Sequence, residues 1–207
     1  MSTALLWFHN DLRLGDNPAL VKAIESGKPV IPLFIWDEND SDLHTGRAAM
    51  WWLHQSLDKL SSRIEGLGNK LILRKGNPKD IVKEIINEHD VSTVYLNRRF
   101  EPPIIERDEH ILSDIDHTVT NGNLLFDPED IRTMQDKQYT VFTPFWKNCK
   151  MQEEPHEPLP TPSSIPAPKK LPDSLSIDEM KLLPKIKWYT TFEKKWRPGE
   201  EEANRIL

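Results

Sequence analysis

Leu5-Leu6-Trp7-Phe8-His9-Asn10-Asp11-Leu12-Arg13-Leu14-Gly15-Asp16-Asn17-Pro18-Ala19-Leu20-Val21 runs from unbroken apolar sequence through a polar loop into a helix start. A strand covered on one face alternates apolar and polar residues. The continuous run Leu5–Phe8 therefore reads as a strand buried on both faces. Asn17 suits a helix N-cap, and Pro18 suits the first helical position, where no donor is missed. Leu20, Val21 and Ile24 share one helical face, and Gly27 can close the helix. Strand, loop and helix in this order open an α/β unit.

The unit repeats along the chain. Val30–Trp36 is a second apolar run, although Pro32 inside it cannot donate to a sheet ladder and predicts an edge position or a bulge. From Arg47 to Leu67 the apolar spacing is helical, through Leu53, Leu57, Leu60 and Ile64. Lys70–Leu73 reads as a third strand. Asn77-Pro78 repeats the cap-then-proline start ahead of Ile81, Val82, Ile85 and Ile86. Thr93–Leu96 is a fourth strand, and a helix follows over Pro103–Ile115. Thr118–Thr120 or Leu124–Phe126 supplies a fifth strand. The alternation predicts a Rossmann-like, doubly wound, parallel five-stranded sheet with helices on both faces.

The pattern changes after Lys150. Seven prolines lie between Pro155 and Pro172, a density that sustains neither helix nor central strand. This segment reads as an extended connector, laid along a surface or left mobile. Farther on, Pro198-Gly199 leads into Glu200-Glu201-Glu202, and acidic residues there suit a helix N-terminus. That helix has only about two turns before Leu207, which leads us to expect more protein beyond it.

A length of 207 residues fits one domain with a tail. The formal net charge of −6 argues against a surface that grips DNA phosphates by itself. Cys149 is the only cysteine, so no internal disulfide is expected and a reduced, cytoplasmic setting is the simple reading. No apolar run suits a secretory signal or a membrane span. There is no Gly-x-Gly-x-x-Gly after the first strand and no Walker-type loop. The seven histidines, His44 among them, are scattered and none pairs with cysteine at zinc spacing.

In such sheets ligands bind beyond the carboxyl ends of the strands, near the topological switch point. Three loops converge there, from His9 to Arg13, Trp36 to Glu38 and Asn97 to Arg99. Asp11 and Arg13 have the chemistry to bind a polar ring or a ribityl chain, and equally to form salt bridges within their own loop. Phe34 or Trp36 offers a wall for a flat heterocycle. Asn97 either faces the crevice or caps the next turn. Trp51 and Trp52 are consecutive on a helix, so either both lie on its flanks or one meets a second surface. Phe142, Phe145 and Trp146 form an aromatic patch that would mark an interface if exposed.

Four ordered segments carry a resemblance. They are Trp7-Phe8-His9-Asn10-Asp11-Leu12-Arg13-Leu14-Gly15-Asp16-Asn17-Pro18, Arg74-Lys75-Gly76-Asn77-Pro78, Tyr95-Leu96-Asn97-Arg98-Arg99-Phe100-Glu101-Pro102 with Glu106-Arg107-Asp108, and Tyr139-Thr140-Val141-Phe142-Thr143-Pro144-Phe145-Trp146-Lys147. Together they resemble the N-terminal domain of the DNA photolyase/cryptochrome family, and a bacterial deoxyribodipyrimidine photolyase in particular. Trp196-Arg197-Pro198-Gly199-Glu200 is similar to that family's passage into its second domain.

The resemblance implies an antenna domain over residues 1–150, an interdomain connector over 151–198, and the start of an FAD-binding helical domain over 199–207. The antenna pigment would be methenyltetrahydrofolate, 8-hydroxy-deazaflavin or FMN. FAD and damaged DNA would be bound only by the helical domain, where light energy drives the splitting of cyclobutane pyrimidine dimers, so this chain alone would not be catalytic. A light-sensing cryptochrome domain and a pigment-free interaction module are the alternatives.

The implied pigment contacts are Asp11, Arg13, Phe34, Trp36, Asp37, Met50, Asn97 and Glu101. The sequence departs from the family pattern at three places. His9 replaces the usual arginine, and Met50 stands where a paired-tryptophan bacterial subgroup often has a basic residue. Pro103-Ile104 stands where one folate-binding pattern has Asn-Glu, which argues against that folate mode.

Overall fold

A computed structural model of the chain describes residues 2–38 and 46–207. Its elements alternate as expected: β1 (Thr3–Phe8), α1 (Pro18–Glu25), β2 (Val30–Trp36), α2 (Arg47–Gly66), β3 (Ile72–Lys75), α3 (Pro78–Glu88), β4 (Val91–Asn97), α4 (Pro102–Leu112) and β5 (His117–Thr120). The five strands pair in parallel in the order β3-β2-β1-β4-β5. This is the doubly wound sheet that the alternation predicts. β1 is central and buried along its whole length. Ala4, Leu6 and Phe8 face the α1 and α2 side, where Leu20, Leu57, Leu60 and Ile64 pack. Leu5 and Trp7 point the other way, toward Ile81, Val82 and Ile85 of α3 and Ile111 and Leu112 of α4. Both faces of the strand are covered, so its sequence is a run rather than an alternation.

The helix starts are built as the sequence indicates. The Asn17 side chain accepts the Leu20 N–H and the Asn77 side chain accepts the Lys79 N–H, each with proline in the first turn. Two expectations need correction. Pro32 marks neither an edge strand nor a bulge, because β2 is interior and stays in register with β1. Val30 donates its N–H away from β1, to the Pro166 carbonyl at 2.7 Å. Pro32, two residues on, faces the same side, and β3 pairs with β2 only from Leu33 onward. The missing donor thus falls in the gap between two partners. β3 begins at Ile72, two residues later than the apolar run suggests, whereas of the two candidates for the fifth strand Thr118–Thr120 is the one formed, as His117–Thr120.

The proline-rich segment is extended and pinned to the sheet domain. The Asp16 N–H donates to Leu159, Ile165 to Leu67 and Leu175 to Leu73, while the Leu73 N–H reaches Ser174 Oγ at 3.0 Å. Ile165, Met180 and Leu182 are fully buried members of the α1–α2 side of the core. Three short helices were not all foreseen. α5 (Phe142–Cys149) and α6 (Thr190–Lys195) have no sequence counterpart in the reading above, whereas α7 (Glu200–Ile206) starts at the acidic triplet. Among the described residues no helix is long and apolar enough to cross a membrane.

If the connector is core, Met180→Ala lowers stability by roughly 2–5 kcal/mol. Met151→Ala, at a highly exposed position, stays within about 0.5 kcal/mol of the parent. Urea unfolding of both variants checks this, and equal midpoints would show that the connector merely drapes over the domain.

Candidate functional site

The loop after β1 is organised by hydrogen bonds inside the protein. The Asp11 carboxylate accepts the His9 N–H at 2.8 Å and the Asn97 Nδ2 at 2.5 Å. Asn97 Nδ2 also donates to Asn17 Oδ1 at 2.9 Å, and its Oδ1 accepts from Thr120 Oγ1 at 2.7 Å and from the Ala19 N–H at 3.4 Å. Arg13 donates to the Asp16 carbonyl at 2.8 Å and to the Gly122 carbonyl. These contacts fill the crevice between β1 and β4, the topological switch point.

The open space lies to one side. A cavity of about 770 Å³ sits beyond the carboxyl ends of β1 and β2 and is bounded by α2, α4 and α7. Its size falls within the range that holds a cofactor. Of the predicted contacts, Asp11, Arg13, Phe34, Trp36 and Asp37 line it. Asp11 and Arg13 do so with their polar atoms engaged in the loop. Asn97 is buried beneath the loop, outside the lining, because all its hydrogen-bonding capacity is taken up there. Met50 packs against the apolar core cluster. Glu101 is exposed at the N-cap position of α4, where its carboxylate accepts the Phe100 N–H at 3.1 Å. These last three residues are not brought to the cavity.

His9, Trp52, Arg99 and Arg107 are among the lining side chains that were not singled out as contacts. Trp51 and Trp52 divide their tasks. Trp51 is buried against Tyr189 and Phe192, and Trp52 is half-exposed, lining the cavity with its ring 6.2 Å from that of Trp196. Arg99 is half-buried, its side chain 8% exposed, and forms a two-point ion pair with Asp108. Burial pulls the Arg99 pKa down from the usual guanidinium value, against the opposing pull of Asp108.

His9 is the unusual group. It is buried with its ring 4.5 Å from that of Trp7, and neither ring nitrogen has a hydrogen-bond partner among the described residues. Burial, and then the positive charges of Arg99 and Arg107, push its pKa well below the ordinary 6.5. The imidazole is therefore neutral at neutral pH and offers one donor and one acceptor. The sequence signal for it was the departure from the family's arginine at that position. Arg99 and Arg107 lie within the third motif, but nothing local showed that the loop after β4 would carry Arg99, and α4 would carry Arg107, to the cavity.

Among the described residues no three of His, Cys, Asp and Glu group as a metal site, and His44 lies outside the described residues. Cys149 is a buried thiol on α5.

The sequence profile of the DNA photolyase family matches residues 4–164. The chain is 40% identical, over 96% of its length, to a deoxyribodipyrimidine photo-lyase of Agrobacterium fabrum, and spans 42% of that protein. It is 32% identical, over 78% of its length, to cryptochrome-1 of Arabidopsis thaliana, of which 25% is covered. The structure superposes on a class III photolyase from Agrobacterium tumefaciens with a TM-score of 0.93 at 37% identity, covering 99% of this chain and 43% of the other. The chain thus spans less than half the length of these relatives.

The buried neutral His9 sets a pH dependence. Its folded pKa lies below the ordinary 6.5, so as pH falls through that range the unfolded chain takes up a proton that the folded chain refuses. Stability is level above that range and falls below it. His54, also depressed mainly by burial, adds a slope of the same sign. Urea midpoints should therefore fall between about pH 7.5 and pH 5.5, and less steeply in His9→Phe. Identical slopes would mean that His9 is accessible to protons in the folded state.

Proposed function

Because the chain belongs to the DNA photolyase family, we propose that it is the antenna domain of a light-dependent deoxyribodipyrimidine photolyase. In this reading its cavity holds a light-gathering pigment, while FAD and damaged DNA are bound by a helical domain following the connector. Residues 1–150 form the antenna unit, 151–198 the connector and 199–207 the entry to that domain. The higher identity to a photolyase than to a cryptochrome favours repair over signalling.

The observation that carries the reading is the cavity with the unpartnered His9 imidazole at its lining. Methenyltetrahydrofolate, 8-hydroxy-deazaflavin and FMN each carry a flat fused heterocycle whose edge bears hydrogen-bonding groups. Trp36 and Trp52 supply apolar walls for the flat face. His9 brings a buried imidazole with donor and acceptor unmet to the same lining, beside Arg107 and the Asp108-paired Arg99. The volume accommodates any of the three, so the residues present fit such a group. When bound, the pigment would supply absorption of near-ultraviolet and blue light and pass the energy on. The protein's part is to hold the ring rigid and keep water from it.

Absorption titration of the purified chain with each of the three pigments is the test. One of them should give a saturable spectral shift, and Trp36→Ala should weaken that binding by at least about tenfold, the scale of losing one well-packed aromatic contact. Asp11→Ala is a poor probe, because it strips partners from the buried His9 N–H and Asn97. Failure of all three pigments to bind would count against an antenna role.

A second feature supports the missing-domain part of the reading. Phe142 and Trp146 of α5 stack at 6.4 Å with 7° between their planes, yet stand 72% and 44% exposed. Neighbouring Val141 and Met151 are exposed as well. Apolar surface so grouped fits an interface, and relatives more than twice as long would have protein to cover it. A separately purified helical domain from the longer protein should bind this chain, with Trp146→Ala weakening the pairing by about tenfold or more. Unchanged pairing would place the interface elsewhere.

A further inference from the structure

α7 holds its place in an unusual way. It has seven residues and none of its side chains is fully buried, so neither length nor apolar packing fixes it. Yet its first residue is firmly bound. Glu200 Oε1 accepts the Gly15 N–H at 2.7 Å, Oε2 accepts the Leu14 N–H at 2.8 Å, and Oε2 also pairs with the Arg63 guanidinium of α2. Two successive backbone N–H groups converging on one carboxylate form an anion nest, here filled by the protein itself. The side chain is only 11% exposed, so screening by water is weak.

The surrounding backbone is shaped to allow this contact. A Cβ at Gly15 would fall 2.8 Å from Glu200 Oε1, so a larger residue would displace the carboxylate. Gly199, at φ +117°, makes the turn into α7 in a region that side chains rarely adopt. Through Gly199, Glu200, Ala203 and Asn204, the same turn and helix form part of the cavity lining.

We propose that Glu200 is a positioning residue that latches α7 against the β1–α1 loop and α2, so that a ligand in the cavity enters and leaves past α7. The second half rests on the ligand reading of the cavity given above. The consequence is that pigment retention is governed from the far end of the connector, about 185 residues after the loop that Glu200 grips.

The test uses the full 207-residue chain with Glu200→Ala and, from the opposite side of the contact, Gly15→Ala. Glu201→Ala is the control, since it removes the same charge from a neighbouring residue that is mostly exposed. Two quantities are measured: amide hydrogen exchange at residues 14 and 15, and the dissociation rates of methenyltetrahydrofolate, 8-hydroxy-deazaflavin and FMN after dilution. Glu200→Ala and Gly15→Ala should each speed exchange at those amides, and dissociation of the pigment that binds, by about tenfold or more. Glu201→Ala should leave both within about twofold.

Unchanged exchange in Glu200→Ala would overturn the latch. Faster exchange with unchanged dissociation would overturn the gating role and leave Glu200 as an anchor alone. If none of the three pigments binds the unaltered chain, the antenna reading and the gating role fall together, and the exchange data still decide whether Glu200 holds α7.

Discussion

The side-chain amide of Asn97 joins four parts of the molecule at one buried point. It stands at the end of β4 and bonds to Asp11 in the loop after β1, to Asn17 and the Ala19 N–H at the start of α1, and to Thr120 at the end of β5. Both donors and the acceptor of the amide are used, and each partner is itself buried or half-buried. Losing such a group strands several polar atoms in the interior, each at a penalty of about 1–3 kcal/mol. Even the backbone nearby conforms, since a Cβ at Gly122 would lie 2.5 Å from the Asn97 side chain. The path of the β1–α1 loop over the ends of β4 and β5 depends on this knot.

The knot also decides where the open space lies. In open α/β sheets the crevice at the switch point is the usual site. Here it is filled by polar side chains, and the cavity lies on the β2 side, with His9, Trp36 and Trp52 around it. The loop residues that look most like ligand groups, Asp11 and Arg13, are largely engaged in making the loop. The side chains with capacity to spare are aromatic rings and an unsatisfied imidazole.

The fold was largely legible because its signals are local. Asn17-Pro18 and Asn77-Pro78 announce helix starts within three residues, and the run Leu5–Phe8 reads as a strand covered twice. The difficulties arose where the deciding partner is distant in sequence. Pro32 looks like an edge residue until Pro166 and the late start of β3 are placed beside it. The proline-rich stretch looks like a linker until Met180 and Leu182 are seen in the core. The site was half legible. Position along the chain brought Phe34, Trp36 and Asp37 to the right rim, because strand ends are predictable. It could not show that Asn97 is wholly occupied, that Met50 faces the core, or that α4 and α7 carry Arg107 and Asn204 to the same cavity.

β3 is an outermost strand, and its far side meets the connector. Ser174 takes the Leu73 N–H, and Leu175 donates to the Leu73 carbonyl. Those two residues act as a shield over a row of backbone groups that would otherwise be open to strand addition by another molecule. A cut between residues 150 and 175 would therefore do more than loosen a linker. It would bare a pairing edge and, with Ile165, Met180 and Leu182 drawn out, an apolar face beside it. Self-association into sheet-extended aggregates, rather than simple unfolding, is the failure to expect when this segment is nicked by a protease.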